Sequence, residues 1–389
     1  DSRDAPHLFG LGLVEMLADE MTSDMRKLAK DARDQAMQTG QPVSVNLNTK
    51  GVNFGKVTAF PDGTFDLSNV EGVDQDLRVK PFFHDGRLFS IREFAVGAFN
   101  AEMGLEAPDP DLLAAHNGAT VTTPSGMVLN GTLDKISQPP ALTPADDPDG
   151  DGVVNEVDTA LVDHMEFYLL NYFRPALYQQ NADPLMGFQL FLDLGCGKCH
   201  VPDLKINRDR RVADVDTRFN TAQGIFNQLF ATATPLVNVI PDPPHPPLQK
   251  PKLQPFTVRN FFSDLKRHDL GPNFHERQYD GSITTHFVTE PLWGVGTTAP
   301  YGHDGRSINL NEVILRHGGE ALAQRNAYAA LTATNRIRVI LFLESLVLFP
   351  PDDTASNLDP GNPADPAFPQ RGHGAIDLSV LFINPADKE

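Results

Sequence analysis

The sequence predicts a mainly α chain with small antiparallel β inserts and long irregular loops. Three observations lead there. Apolar residues recur at three- and four-residue spacings over residues 8–36, 159–176, 184–195 and 334–348. Short alternating segments bounded by turn residues fall within 42–80 and 119–134. Residues 201–260 and the tail from Pro350 are rich in Pro and Asp, and 236–256 reads as an extended stretch wrapped over the surface.

Each element has its own signal. In the first helix Leu13, Met16, Leu17, Met21 and Met25 share a face, which reads as core. Val43-Ser-Val-Asn-Leu47 alternates, and Pro61-Asp62-Gly63 supplies a turn between further alternating segments around Gly55 and Thr64. A second β pair is predicted around Ser125-Gly126 and Asn130-Gly131. Leu161, His164, Met165, Tyr168, Leu169 and Tyr172 line one side of helix 159–176, and helix 184–195 leads into the cysteine motif.

The chain has 389 residues, enough for two or three domains, and is 40% hydrophobic. Its net charge of -19 excludes a nucleic-acid partner, because phosphate binding needs clustered Lys and Arg. The longest apolar run, Val339 to Leu343, is interrupted by Glu344, so no transmembrane segment is predicted.

Cys196-Gly-Lys-Cys199-His200 is a C-x-x-C-H motif, the attachment signature of a c-type haem, and holds the only two cysteines. One helical turn brings both sulfurs to the haem vinyl groups and His200 beneath the iron. A thioredoxin-like redox pair would need a βαβ context, and the flanks here read as helical. A zinc site would need distant histidines, and a disulfide over so short a loop stabilises little. Haem attachment takes place outside the cytoplasm, so a periplasmic or extracellular location is expected. Asp1-Ser-Arg-Asp carries no signal-peptide pattern, and the chain is expected to be processed or truncated.

The second axial ligand is expected to be His317. All eight methionines lie at or before Met186, upstream of the motif. Seven histidines follow His200: His245, His268, His275, His286, His303, His317 and His373. Asn309 and Glu312 approach a capping box, and Leu310, Val313, Ile314 and His317 then share an apolar helix face closed by Gly318-Gly319. A core histidine is the alternative. A bis-His iron suits electron transfer better than oxygen chemistry.

Residues 147–158 match a twelve-residue EF-hand loop. Asp147, Asp149 and Asp151 stand at positions 1, 3 and 5, Gly152 at 6, Val153 at 7 for its carbonyl, Asn155 at 9 and Asp158 at 12. No helix is evident before it, so a lone calcium staple between two domains is expected, with a solvated acidic turn as the alternative.

Pro291-Leu-Trp-Gly-Val-Gly-Thr-Thr-Ala-Pro-Tyr-Gly-His-Asp-Gly-Arg306, with Leu310, Glu312 and His317, resembles the C-terminal domain of bacterial di-haem cytochrome c peroxidases, and more closely the related di-haem oxidoreductase (peroxidase-like) family. Leu8 to Glu15, Glu71 to Leu77, Asp264 to Gly271 and Gly372-His-Gly are similar to other family segments, extending the resemblance over roughly residues 5–380. It implies two cytochrome c-like domains: a haem-free remnant with a β insert over 1–145, the calcium loop over 146–158, a haem domain over 159–350, and a tail over 351–389. An internal repeat accompanies it, with His84-Asp-Gly-Arg87 and Ile91-Arg-Glu-Phe94 echoing His303-Asp-Gly-Arg306 and Leu310-Asn-Glu-Val313. The resemblance implies a ligand role at His317, where peroxidases usually carry Met. It implies a catalytic Glu102 in Glu102-Met103-Gly104, and His84 in place of a Trp between two haems.

The family's first domain carries a second C-x-x-C-H that this chain lacks, so one haem c per chain is expected. Trp293 is expected at the haem edge or in the core. Arg306 and Arg87 are expected to pair with haem propionates or to tie down their Asp-Gly turns. His268 is expected to be a surface or structural residue. The functional expectation is a c-type cytochrome that exchanges electrons with a redox partner protein or a neighbouring haem subunit. The alternatives are a di-haem peroxidase-type oxidoreductase completed by another segment or chain, and a structural haem-containing subunit of a larger assembly; an oligomer is compatible with each.

Overall fold

The computed structural model describes residues 6–172, 174–177, 182–211, 216–218, 254–278 and 280–347. His245, His373, the tail 351–389 and all but the end of 236–256 lie outside the described residues.

Helix α1 (Leu11–Thr39) ends at Gly40, whose left-handed backbone (φ 65°) lets its N–H return to the carbonyl of Ala36. Its buried face includes Leu13, Leu17, Met21 and Met25, as the sequence periodicity predicts. Strands β1 (Val43–Thr49), β2 (Val52–Ala59) and β3 (Phe65–Val70) form an antiparallel meander. Its buried residues Leu47, Phe54 and Val57 share a core with α1.

Helices α2 (Ile91–Met103), α3 (Pro110–His116) and α4 (Thr159–Asn171) enclose a second core with the hairpin β4 (Thr120–Thr122) and β5 (Val128–Asn130). Arg92, 1% exposed, ties them together: Nη1 lies 2.7 Å from Asp163 and 3.0 Å from Glu166 on α4, and Nε lies 3.0 Å from Asp109, the N-cap of α3. Four carboxylates surround this one guanidinium when the more distant Asp111 is included, so the fork stays charged inside the fold.

The second half is built differently from expectation. Strand β6 (Arg174–Leu177) pairs in parallel with β8 (Asp216–Arg218), and helix α5 (Ala182–Asp193) follows β6. Strand β7 (Leu204–Ile206) pairs with β9 (Phe256–Val258), β10 (Arg267–Asp269) with β13 (His286–Val288), and β11 (Glu276–Arg277) with β12 (Ile283–Thr284). Helices α6 (Leu310–Arg316), α7 (Leu322–Ala329) and α8 (Ala333–Glu344) close the fold.

The predicted mainly α architecture of two cytochrome c-like domains is therefore corrected. Helix makes up 37% and strand 18% of the described structure, and the strands form several small sheets. Two- and three-residue strands carry too few positions for an alternation to be legible. One core also crosses the chain: Leu204, Ile206, Val258, Phe261 and Trp293 pack into the same cluster as α1 and the meander. Helix 159–176 is likewise too long, because Tyr172 turns to an extended backbone (ψ 134°).

The helix that leads into the C-x-x-C-H motif is positioned by a backbone contact. A Cβ built on Gly187 of α5 would lie 1.9 Å from the carbonyl oxygen of Arg338 on α8. Gly187→Ala is therefore expected to cost about 1–3 kcal/mol through overpacking. Gly97→Ala on α2, where a Cβ meets nothing within 4 Å, is expected to be neutral or to stabilise by up to about 1 kcal/mol. Thermal unfolding of the two variants checks the opposite signs.

Candidate haem site

Helix α5 delivers the C-x-x-C-H motif. Its last turn closes with the Leu194 N–H on the Leu190 carbonyl, and Gly195 (φ 83°) reverses the chain. Cys196 to Lys198 then form a single 3-10 turn, and the His200 N–H donates to the Cys196 carbonyl at 3.0 Å. Both cysteines are free and half-buried. Burial pushes the Cys196 thiol up to about 11.

Cys196, Cys199 and His200 line a cavity of about 520 Å³ with mostly apolar walls. Leu310, Val313, Ile314 and His317 of the α6 region also line it, so the stripe predicted from the sequence faces this space. Helix α6 stops at Arg316, and His317 is its C-cap with an extended backbone (ψ 134°). The glycines behind it are required: the Gly318 N–H donates to the Leu270 carbonyl, and a Cβ on Gly319 would lie 2.1 Å from the Asp269 carbonyl.

The two histidines share one arrangement. The His200 Nδ1–H donates to the Phe262 carbonyl at 3.1 Å, and the His317 Nδ1–H to the Val313 carbonyl at 2.7 Å. A carbonyl only accepts, so each ring keeps its lone pair on Nε2. Burial lowers both, His200 to about 4, and both are neutral at pH 7. Two neutral imidazoles with Nε2 available, in one cavity with two thiols, match the ligand chemistry of a haem c iron.

The remaining lining agrees with a haem. Arg325 Nε and Gln324 Oε1 are buried in the cavity wall without a hydrogen-bond partner. Orphaned buried polar atoms are rare, and a guanidinium in an apolar wall calls for an anion. The propionates of a haem supply carboxylates, and its ring suits the apolar surface. Arg325 was not signalled by the sequence, where it is one polar residue among several on a short helix.

Other predicted residues fall in different places. Trp293, 4% exposed, lines the cavity edge-to-face with Phe261 at 5.1 Å, and its carbonyl accepts from His7 Nε2 at 2.6 Å. Arg306 is outside the lining, its side chain 70% exposed beside Asp304. Arg87 forks onto Asp85 at 2.9 Å and also stands outside it. Glu102 is exposed at the end of α2, away from the cavity. His84 does line the cavity: its ring stacks on His303 at 5.2 Å, and its Nε2 donates to Glu276 at 2.9 Å.

In the EF-hand-like loop, Asp147 and Asp149 are brought together with Glu106, all three offering oxygens within 4.8 Å of one another. Glu106 lies outside the loop motif, beyond the reach of a spacing rule. Backbone N–H groups of Gly150, Asp151 and Gly152 donate to Asp147, and that of Val153 to Asp151. Asp151, Val153, Asn155 and Asp158 are not part of the cluster, and Asp158 instead caps α4 through the Ala160 N–H.

His268 is buried in the cavity wall, not on the surface. Nε2 lies 2.8 Å from Asp264 and Nδ1 2.7 Å from Glu320, so both nitrogens carry protons. Burial opposes that charge, but the hydrogen bond and charge of Asp264, aided by Cys199, push the pKa up to about 11. Cys199, Asp264 and His268 are near enough to hold a metal, yet both His268 nitrogens are spent on carboxylates. His268→Gln leaves Asp264 buried without its cation and is expected to cost about 3 kcal/mol in urea unfolding at pH 7. A raised pKa makes this contribution fully present below the unfolded value near 6.5, and it is lost as pH rises towards about 11. The stability gap between wild type and variant should therefore shrink at alkaline pH.

The curated proteins contain no match to this chain. Residues 252–346 match the model of a family described as "Di-haem oxidoreductase, putative peroxidase". The matched segment carries His268, Trp293, His303, His317 and Arg325, with Val339 and Leu343 of α8, all of which line the cavity. This segment, about a quarter of the chain, is similar to the same di-haem oxidoreductase family that the Pro291 to Arg306 motif resembles.

Proposed function

We propose that this chain is a c-type cytochrome that passes electrons through one covalently bound haem, outside the cytoplasm. Cys196 and Cys199 would hold the haem by thioethers, and His200 and His317 would be its axial ligands. The observation that carries the reading is the paired tautomer: two backbone carbonyls fix Nδ1–H on both rings and leave both Nε2 atoms as donors to a metal. A haem in this position supplies a one-electron couple. The apolar lining excludes water, Arg325 holds a propionate, and Trp293 packs beside the ring edge. No described helix is long and apolar enough to cross a membrane, and the acidic surface suits a redox partner with basic residues at its contact face.

The family description favours a second reading, a di-haem peroxidase-type oxidoreductase whose other haem lies on another segment or chain. The repeat adds to it. Phe82 bridges to Leu88 as Tyr301 bridges to Ser307, and Ser90 caps α2 at Glu93 as Asn309 caps α6 at Glu312. On that register Ala98 corresponds to His317, so the first copy offers no ligand there.

A pyridine haemochrome count with a reduced-minus-oxidised spectrum tests the choice. One low-spin haem with no peroxide turnover supports the cytochrome. A second, high-spin haem that turns over peroxide supports the peroxidase. His317→Ala should retain the haem through its thioethers but convert its spectrum to high spin; an unchanged low-spin spectrum removes His317 as ligand.

Calcium at Asp147 and Asp149, joined by Glu106, is proposed as a structural staple between α3 and α4. Burial and the negative charges of Asp149, Glu156 and Asp147 hold the Glu106 carboxyl above its usual range, a repulsion that a cation relieves. Calcium at a hundredfold excess over Kd should stabilise the chain by about 2.7 kcal/mol. Thermal unfolding with calcium and with a chelator measures this, and Asp147→Asn should abolish the difference.

A further inference from the structure

We propose that Glu290 is a proton-binding group of the cavity, taking up one proton from solvent as one electron enters the haem. The inference rests on the haem reading and goes beyond it by adding a second particle to the transfer. Glu290 lines the same cavity as Cys196, Cys199, His200 and His317. Its Oε1 is buried without a hydrogen-bond partner, and the following residue is Pro291, which has no N–H to offer. Burial alone pushes the carboxyl up to about 7.

The neighbouring groups do not take that role. His7 donates Nε2–H to the Trp293 carbonyl and is held low by burial, with its Nδ1 orphaned like Glu290 Oε1. His303, stacked between Phe287 and His84, is held at about 4 by burial. His268 is fixed as a cation between Asp264 and Glu320. Lys198, Tyr301, Glu320, Arg325, Tyr328 and His84, the last bonded to Glu276, also line the cavity beside His200 and His317.

The balance is simple. A haem held by Cys196, Cys199, His200 and His317 would supply the one-electron couple, with an external one-electron carrier as the reductant. The Glu290 carboxylate gains a proton from water and becomes the acid. Adding a negative charge nearby makes the carboxylate costlier in a low-dielectric cavity, so reduction raises its proton affinity. The midpoint potential must then fall as pH rises through the region of this pKa.

The test is spectroelectrochemical titration of the haem-loaded chain between about pH 5.5 and 9. Wild type should show a falling midpoint, approaching a tenfold change in the reduction equilibrium per pH unit, or about 59 mV. Glu290→Gln should flatten the profile near the wild-type value at low pH. A slope that persists in Glu290→Gln overturns the proposal, and so does one that disappears in His84→Gln instead. Should Glu290→Gln fail to fold, the reduced-minus-oxidised infrared spectrum of wild type decides. A protonated-carboxyl band that appears on reduction supports Glu290, and its absence overturns it. Missing haem bands in the preparation would remove the haem reading and this inference together, whereas haem bands with a flat wild-type profile would remove Glu290 alone.

Discussion

The approach of α5 to α8 through Gly187 is the contact on which the site depends. A bare Cα there lets one helix lie against the carbonyl of Arg338 on the other. Phe188 and Phe191 of α5 then interlock with Phe342 of α8 and with Phe262, at centroid separations of 5.1 to 6.0 Å. The same Phe262 lends its carbonyl to His200. Packing of two apolar helix faces thus becomes the orientation of one imidazole, through a residue that serves both.

The partner imidazole is oriented by a helix ending. Had α6 continued, the chain would not turn at His317. Instead the glycine pair packs against Asp269 and Leu270, next to β10, where a side chain cannot fit. His317 is left at the last turn, with Nδ1–H on the carbonyl one turn back. Glu320 reinforces this place from the other side, accepting from the Asp269 N–H and from His268. The buried imidazolium of His268 therefore secures the segment that presents His317, although it has no lone pair with which to bind a metal itself.

The sequence made legible what is local. The C-x-x-C-H spacing, the Leu310 to His317 stripe, the α1 face and the meander all depend on residues within a few positions of one another. The corrections concern what is not local. His268 carries no sign of burial in its neighbours Arg267 and Asp269, because its partners Asp264 and Glu320 meet only after folding. Arg325 and Glu290 become notable because the fold leaves polar atoms of each without partners in one wall. Arg306 looked like an anion-binding residue from its motif, yet it is Arg316 that satisfies Asp304, through contacts also reaching Ser307 and the Asn273 carbonyl. Arg306 keeps a looser contact with the same turn, its Nε 3.5 Å from Asp304, and its side chain is otherwise exposed. The two-domain reading failed for a related reason: the sequence repeat is real, but it covers only a bridged strap and a capped helix.

That repeat explains why the first half of the chain matters to a cavity whose thiols, His200 and His317 all come from the second. The two straps meet, with His84 stacked on His303 at an interplanar angle of 12° and Phe287 on the far face of His303 at 4.0 Å. His7, Phe9 and Leu11 approach from the start of the chain, and Gly10 can pass the indole of Trp293 only because it has no Cβ, which would lie 2.5 Å from the ring. The cavity is therefore walled by both halves, and its dryness depends on their staying docked. A shift of the straps would admit water beside Glu290, lower the cost of its charge and weaken every electrostatic effect inside the cavity. The stack of His84 on His303 is thus the contact through which the first half of the chain closes the cavity.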